Sequence, residues 1–169
     1  MRRNVKIVSL GGNIASVVRA FEGSIARTPE DLLDATHIIL PGVGSFASLK
    51  IDMWRGAIFK ATIPVLGICL GMQALGDTSE EGEGFGLGLI PGRSHRLPKM
   101  RMGWDYIPEE GYFYFCHQYE FRPEDKNDVH LLTEDGLIAG VKRGNILGVQ
   151  FHPEKSQKSG ERFIEGFLS

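Results

Sequence analysis

The sequence has little cysteine, no long apolar run and no excess of charge of either sign. Two cysteines in 169 residues are too few for a disulfide framework, and no cysteine and histidine spacing resembles a zinc site. The longest apolar runs, such as residues 63–68, are far too short to span a bilayer. The 19 basic and 21 acidic residues give a formal net charge of −2 without a basic stripe. We therefore expect no disulfide, no metal, and neither nucleic acid nor membrane as a partner.

Size and composition favour one domain that covers residues 1–169. Hydrophobic residues make up 42% of the chain, which is enough for one core and too little for two. Residues 1–20 lack the layout of a secretory signal, so we expect a cytoplasmic protein.

Apolar strand patterns alternate with amphipathic helix patterns in the first half of the chain, and short strands dominate the second half. Strands are predicted over residues 5–10, 37–40, 63–68, 104–107, 112–121, 129–133, 137–142 and 146–151. Helices are predicted after the capping residues Asn13 and Thr28, over residues 46–60, after Gly71 and over residues 159–168. Residues 77–103 are rich in glycine and predicted to be mostly loop, with strand character at 93–97. The pattern indicates a three-layer α/β fold whose parallel sheet is covered on both faces and whose later strands are partly antiparallel.

Residues 64–76 join a strand to a helix without a loop, and Cys69 stands at the corner. A residue at such a corner is held in a strained conformation above the sheet edge, and Gly67 and Gly71 supply the necessary room. The corner also lies at a helix N-terminus, where the dipole favours thiolate over thiol. A cytosolic cysteine is more often a small buried hydrophobe, so the two glycines are what make Cys69 a candidate nucleophile.

A nucleophilic thiolate needs a base, and His152 has the most suitable surroundings. It directly follows a predicted strand, at the sheet edge where ligands bind in open parallel sheets. Glu154 comes two residues later on the same side of an extended backbone, and Pro153 limits the relaxation of that geometry. The carboxylate can fix one imidazole nitrogen and leave the other for the thiol. Cys69, His152 and Glu154 are therefore a candidate triad.

The remaining histidines compete less well for this role. Cys116 and His117 are neighbours on one strand and so point to opposite faces, and we expect Cys116 to lie in the core. His37, His95 and His130 have surroundings typical of ordinary solvated or hydrogen-bonded histidines.

Backbone N–H groups for an oxyanion can come from two places. Gly42, Val43 and Gly44 form a loop after the strand at 37–40, and Leu70 directly follows the cysteine. Pro-Gly is also one of the commonest turn signals, so a plain turn is the alternative interpretation of the loop.

These motifs resemble the class I glutamine amidotransferases. The nucleophile segment of that family is similar to GICLGMQ at residues 67–73, and its histidine–glutamate pair is similar to GVQFHPE at residues 148–154. Four further segments are similar in order and spacing to one branch of the family, the glutaminase subunits of imidazole glycerol phosphate synthase: PGVGSF at 41–46, MGW at 102–104, YFYFCHQY at 112–119 and HPEKSQKSG at 152–160. The resemblance implies the three-layer, flavodoxin-like fold of the class, with a central mostly parallel sheet and an antiparallel extension.

The resemblance also implies a mechanism that needs no cofactor. Cys69 attacks the side-chain amide of glutamine, His152 protonates the departing ammonia, and Glu154 orients the imidazole. Val43 and Leu70 supply the oxyanion hole. The residues that match the glutamine-binding positions are Gly44, Gln73, Glu81 and Gln118. A solvated helix face is the alternative for Gln73 and Glu81. Gln118 stands where the family usually has a small hydroxyl residue, and Asp105 where it usually has asparagine.

A partner is implied as well. In the family, ammonia passes to a separate HisF-type cyclase subunit with a (β/α)8 barrel, which makes imidazole glycerol phosphate and aminoimidazole carboxamide ribotide in histidine biosynthesis. The residues that match the docking face of such a heterodimer are Met102, Trp104, Tyr112, Tyr114 and Lys155. Three alternatives stay open: a glutaminase subunit that serves surface-sugar synthesis, a hydrolase that acts alone, and a catalytically silent binding subunit.

Overall fold

The computed structural model describes residues 2–42 and 44–169, and within them it contains ten strands and four α-helices. The strands are β1 (Val5–Val8), β2 (Ser24–Ala26), β3 (His37–Leu40), β4 (Val65–Ile68), β5 (Thr78–Ser79), β6 (Gly92–Ile107), β7 (Gly111–Pro123), β8 (Val129–Leu132), β9 (Ile138–Arg143) and β10 (Ile146–Val149). The helices are α1 (Ala15–Ala20), α2 (Arg55–Phe59), α3 (Leu70–Ala74) and α4 (Gln157–Leu168). None of the helices in these described residues is both long and apolar enough to cross a membrane.

The main sheet has seven strands in the order β2-β1-β3-β4-β10-β9-β8. The first five run parallel, and β9 and β8 add an antiparallel extension. This confirms the predicted mostly parallel sheet with its antiparallel addition. In the register of β4 with β10, Ile68 lies opposite Val149, so the residues that follow these two strands meet at one edge of the sheet.

Apolar side chains are buried on both faces of this sheet. Along β3, Ile38 and Leu40 pack on one face and Ile39 on the other, as the period of two in a strand requires. Trp54 belongs to the first layer, beside α2, and Ile164 of α4 belongs to the second. The predicted three-layer architecture is therefore confirmed.

The predicted strand character at residues 93–97 is confirmed, but the loop predicted over residues 98–103 is wrong. Residues 92–107 form the single strand β6, which pairs with β7 in a long antiparallel hairpin and builds a second sheet with β5. The pairing shifts register between Arg96 and Arg101. One side of this ribbon is solvated, so its strand carries few apolar residues, and its extended state depends on hydrogen bonds to β7.

The helix predicted over residues 46–60 is broken into two 3₁₀ turns, Phe46–Ser48 and Asp52–Trp54, followed by the short helix α2. Met53 and Phe59, which a single continuous helix would place on its inner side, are exposed, because the broken path turns other apolar residues inward. The buried ones are Phe46, Ile51, Trp54 and Ile58.

The two predicted helix starts are found close to their expected places. The Oδ1 atom of Asn13 accepts a hydrogen bond from the Ala15 N–H at 3.1 Å, at the beginning of α1. Thr28 and Asp31 form a capping box at a 3₁₀ turn, Pro29–Leu32, in place of a longer helix.

Candidate active site

Cys69 lies at a sharp corner between β4 and α3. Its backbone φ is +52°, a conformation that costs a residue with a side chain about 1–3 kcal/mol and that tends to occur at functional sites. The strain expected at this corner is therefore present. The Cys69 N–H donates to the Val149 carbonyl at 2.8 Å, which fixes the corner to the end of β10.

Glycines let the backbone around this corner pack without side chains between its parts. A Cβ atom on Gly67 would lie 2.5 Å from the Gly71 carbonyl oxygen and 2.8 Å from the Met72 nitrogen. Gly42 is equally crowded, since a Cβ atom added to it would clash with the Leu70 and Gly71 backbone nitrogens. The loop after β3 therefore lies directly against the first N–H groups of α3.

His152 reaches the same corner from the end of β10. Its N–H donates to the Tyr114 carbonyl at 2.9 Å, and its own carbonyl accepts from the Ser156 hydroxyl at 2.6 Å. The Nδ1 atom lies 2.8 Å from the Glu154 Oε1 atom. The Cys69 side chain lines the same cleft as His152 and lies close enough to the imidazole to raise its pKa. The structure thus brings together the three residues that the sequence singles out.

Two opposing effects set the pKa of His152. Burial alone would lower that pKa, but the hydrogen bonds with Cys69 and Glu154, together with the charges of both partners, outweigh burial and raise the pKa of His152 to about 10. The side chain of Glu154 is only 4% exposed, so its interaction with the imidazole is little screened by water. The imidazolium is therefore the stable form near neutral pH when a thiolate faces it.

A cleft of about 240 Å³ opens above the Cys69 sulfur. The predicted site residues that line it are Gly44, Cys69, Leu70, Gln73, Glu81, Gln118 and His152. Val43, the other predicted oxyanion donor, lies outside the described residues.

Three of the predicted glutamine-binding side chains make defined contacts in the cleft. The Nε2 atom of Gln73 donates to the Tyr119 carbonyl at 3.5 Å, and its buried Oε1 atom has no partner among the described residues. The Oε2 atom of Glu81 accepts from the Phe46 N–H at 2.9 Å, next to the loop after β3. Gln118 donates to the Leu97 carbonyl at 2.8 Å across the hairpin. Gln73 is buried rather than on a solvated helix face.

The cleft also contains residues that the sequence pattern does not assign to it. Met100 and His117 belong to its lining. Burial lowers the pKa of His117, whose Nδ1 atom lies 2.8 Å from the Tyr119 carbonyl. Cys116 is half-buried and lines the cleft, so its predicted place in the core is wrong. The reason is the period of two along β7, which buries Phe115 and His117 and turns Cys116 to the other side.

The five predicted docking residues lie on or beside one face of the hairpin. Trp104 pairs with Tyr114 across the two strands, with ring centroids 6.0 Å apart, and Met102 pairs with Cys116. Met102 is 65% exposed, Trp104 48% and Tyr112 60%. Lys155 is also exposed, just after the triad segment.

Asp105, one of the departures from the family pattern, takes part in an ion-pair network. Arg101 donates to Asp105 from Nε at 2.6 Å and to both carboxylate oxygens of Asp135 at 2.8 and 2.9 Å. The hydrogen bond from Arg101 leads the effects that lower the pKa of Asp135 to about 2. The network joins β6 to the turn between β8 and β9.

A sharp strand-to-helix corner with a cysteine, a histidine paired with a glutamate, and a sheet of this strand order form the arrangement that the sequence predicts for a class I amidotransferase. The family model described as glutamine amidotransferase class-I matches residues 8–168. The chain therefore belongs to the class I glutamine amidotransferases.

Curated relatives are similar over nearly the whole chain. The imidazole glycerol phosphate synthase subunit HisH 2 of Methanococcus maripaludis is 37% identical, with 97% of this chain and 98% of the relative covered. Subunit HisH of Archaeoglobus fulgidus is also 37% identical, with 98% of each chain covered.

Solved structures support the fold. A crystal structure of a glutamine amidotransferase has a TM-score of 0.76 at 20% identity, with 97% of this chain and 98% of that chain covered. A glutamine amidotransferase from Thermotoga maritima has a TM-score of 0.64 at 19% identity, with 99% of this chain and 83% of that chain covered.

Proposed function

We propose that this chain is the glutaminase subunit of an imidazole glycerol phosphate synthase. It hydrolyses glutamine to glutamate and ammonia, and the ammonia passes to a separate HisF-type (β/α)8 cyclase subunit in histidine biosynthesis. The proposal treats residues 1–169 as one amidotransferase domain with a cytoplasmic location.

Two observations carry this proposal. The chain is 37% identical to HisH subunits over nearly its full length, and the fold brings a thiol and an imidazole to one cleft, with a carboxylate hydrogen-bonded to the imidazole. The similarity supports the pathway, and the contact supports the chemistry.

In the first half of the reaction, the Cys69 thiolate attacks the side-chain carbonyl carbon of glutamine. The negative charge moves to the carbonyl oxygen, and the proposed donor to that oxygen is the N–H of Leu70, which lines the cleft; a donor of this kind contributes about 3 kcal/mol of barrier reduction. The C–N bond then breaks, and the His152 imidazolium gives its proton to the leaving nitrogen. The products of this half are ammonia, a neutral imidazole and a glutamyl thioester on Cys69.

In the second half, water attacks the thioester. Neutral His152 takes a proton from the water, the C–S bond breaks, and the thiolate and imidazolium are restored. The new side-chain carboxyl group releases its remaining proton to solvent, and glutamate leaves. Glu154 holds Nδ1 at 2.8 Å in both halves, so the nitrogen that faces the sulfur carries the mobile proton.

The polar groups of the cleft suit glutamine as a ligand. The Oε1 atom of Gln73 has no hydrogen-bond partner among the described residues, so it can accept a hydrogen bond from a bound ligand. Glu81 brings a carboxylate that can attract the α-ammonium group, while Gly44 and the region of Gln118 close the other sides.

The exposed aromatic face of the hairpin suits a docked protein. Trp104, Tyr112 and Met102 belong to the residue types enriched at protein interfaces. Tyr114 and Lys155 complete the face close to the candidate triad, so a cyclase docked there would lie next to the cleft that contains Cys69.

The test is an ammonia-transfer assay with a purified HisF-type cyclase and its phosphoribulosyl acceptor. The wild-type complex is expected to form imidazole glycerol phosphate from glutamine or from ammonium chloride. The Cys69→Ala complex is expected to use ammonium chloride alone. The isolated chain is expected to hydrolyse glutamine feebly, and the acceptor-loaded cyclase to accelerate it.

Other outcomes of this assay point to the other functions. An equal glutaminase rate with and without the cyclase indicates a hydrolase that acts alone. A complex that uses ammonium chloride but never glutamine indicates a silent binding subunit. If the glutaminase is activated only by the barrel subunit of a surface-sugar amidotransferase, the chain serves surface-sugar synthesis.

A second experiment tests the docking face. Trp104→Ala is expected to weaken cyclase binding by about 10- to 100-fold, since tryptophans that become buried in a complex commonly contribute most of the binding energy. Phe59→Ala is the matched control, because Phe59 is an exposed aromatic on α2, away from the hairpin. Isothermal titration calorimetry that gives equal affinities for both variants contradicts this placement of the interface.

A further inference from the structure

Gln150 is a buried polar side chain that the proposed mechanism does not use. It follows β10 directly and is completely inaccessible to solvent. Its side-chain Nε2 atom lies 3.7 Å from the Cys69 sulfur, and its buried Oε1 atom has no partner among the described residues. A buried polar group without a partner costs about 1–3 kcal/mol, so the position of this amide calls for a reason.

The backbone holds Gln150 firmly beside the sulfur. Its N–H donates to the Ala139 carbonyl of β9 at 2.9 Å, and the residue before it, Val149, accepts from the Cys69 N–H at 2.8 Å. Gln150 and His152 are two residues apart, so one strand end presents both an amide and an imidazole to the thiol.

The polar neighbours of the sulfur distinguish its two protonation states. The Cys116 carbonyl oxygen, 3.7 Å away, can only accept, and therefore suits the thiol S–H. The amide N–H of Gln150 can only donate, and therefore suits the thiolate. A thiolate also repels an amide oxygen, so ionisation selects the orientation in which nitrogen faces sulfur.

We propose that Gln150 is a further catalytic residue of this site, whose side-chain N–H donates to the Cys69 thiolate and so raises the fraction of ionised sulfur. The inference rests on the proposed function, in which the Cys69 thiolate is the nucleophile. The amide acts together with the His152 imidazolium from a second direction. The two donors hold the sulfur at a fixed place above the sheet edge.

Several titratable groups surround the sulfur, and the test must separate their effects from that of Gln150. His152, with Glu154 bonded to its Nδ1 atom, lines the cleft at the sulfur together with His117, Cys116 and Glu81. None of them is altered in the variants below, so their contributions stay constant.

The first experiment compares Gln150→Met and Gln150→Glu with wild type. Methionine keeps the length but cannot donate, and glutamate keeps the shape but replaces a donor with a carboxylate. Ser94→Ala is the matched control, because Ser94 is equally buried and its hydroxyl also lacks a partner among the described residues, whereas only Gln150 of the two is hydrogen-bonded to the Cys69 sulfur.

The readout is the rate of Cys69 alkylation by iodoacetamide as a function of pH, followed by peptide mass spectrometry so that Cys116 is counted separately. The midpoint is expected to rise by about one pH unit in Gln150→Met, which is a tenfold loss of thiolate. It should rise further in Gln150→Glu and remain unchanged in Ser94→Ala. An unchanged midpoint in a folded Gln150→Met chain overturns the proposal.

Glutaminase kinetics in the cyclase complex separate a catalytic role from a structural one. If Gln150 stabilises the thiolate, kcat/KM of Gln150→Met falls about tenfold at pH 7 and recovers above the new midpoint. A merely structural defect lowers kcat/KM by the same factor at every pH.

A measurement on the unaltered chain covers the case in which both variants fail to fold. The side-chain amide resonances of Gln150 in ¹⁵N-labelled protein are expected to shift with the same pH midpoint as alkylation, and to lose that shift in Cys69→Ala. Resonances that are indifferent to Cys69 overturn the inference. A normal pH profile without glutamine-dependent turnover instead overturns the proposed function and leaves the contact in place.

Discussion

Replacing Gly67 with alanine tests how closely β4 packs against the first turn of α3. A Cβ atom at this position would lie 2.5 Å from the Gly71 carbonyl oxygen, 2.7 Å from its carbonyl carbon and 2.8 Å from the Met72 nitrogen. All three neighbours are backbone atoms, so no side chain can rotate away. The strand and the helix must separate instead.

The magnitude follows from the overlap. Non-bonded carbon and oxygen atoms rarely approach closer than about 3 Å, so the corner between β4 and α3 must open by about half an ångström or more. Overpacking of this kind costs about 1–3 kcal/mol. The absence of a flexible neighbour places Gly67→Ala near the upper end of that range. For a chain of this size, that lowers Tm by about 6–12 °C. Displacement of Cys69 from His152 should also reduce glutaminase kcat by about 10²-fold.

Urea unfolding and a thermal melt of the full chain measure the effect, with Gly166→Ala as the matched control. Gly166 lies in α4 with no atom within 4 Å of an added Cβ, so alanine there should stabilise the helix by about 0.5–1 kcal/mol. If Gly67→Ala is as stable and active as wild type, the tight packing of β4 against α3 is refuted. If Gly67→Ala and Gly166→Ala lower the free energy of unfolding equally, the loss of stability does not come from the steric overlap at Gly67.

Three further predictions concern charges. Glu154→Gln should lower the pKa of His152 in an NMR titration and reduce glutaminase kcat by about 10²–10⁴-fold, because the carboxylate both stabilises the imidazolium and orients the ring; an unchanged pKa would contradict this. Because the pKa of His152 is raised to about 10, its stabilising contribution is complete below pH 6.5 and is lost as pH rises through 10. Urea midpoints of wild type should therefore fall more steeply over that range than those of His152→Asn, and parallel profiles would count against the interaction. Arg101→Met should cost about 1 kcal/mol in urea unfolding at pH 7 by removing its pairs with Asp105 and Asp135, since these are partly exposed, and a neutral result would mean that the network contributes nothing.

The sequence predicts six of the seven strands of the main sheet because these strands carry their own signal, and it misses the three-residue edge strand β2, two of whose residues are exposed. The strands at 37–40 and 65–68 are apolar nearly throughout, since both of their faces are covered. The local pattern finds strand character only at 93–97 and misses residues 98–103, because β6 is half solvated and becomes one continuous strand only by pairing with β7. That pairing is tertiary, and neither composition nor local period reports it.

The triad could be predicted because its members lie where local rules apply. Cys69 is marked by two flanking glycines, and His152 and Glu154 by a period of two after a strand. The same period applied one step earlier leads to Gln150, so that residue was within reach of the sequence. Met100 and the true position of Cys116 were not, since the fold of the hairpin over the cleft decides them.

The central claim is that Cys69 is the nucleophile and that His152 activates it. The most direct measurement treats the chain, in complex with the cyclase, with a diazoketone analogue of glutamine and maps the covalent adduct by peptide mass spectrometry. The account predicts one adduct, on Cys69, that excess glutamine suppresses and that forms far more slowly in His152→Asn. An adduct on Cys116 instead, or modification of Cys69 at the same rate without the imidazole, would contradict it.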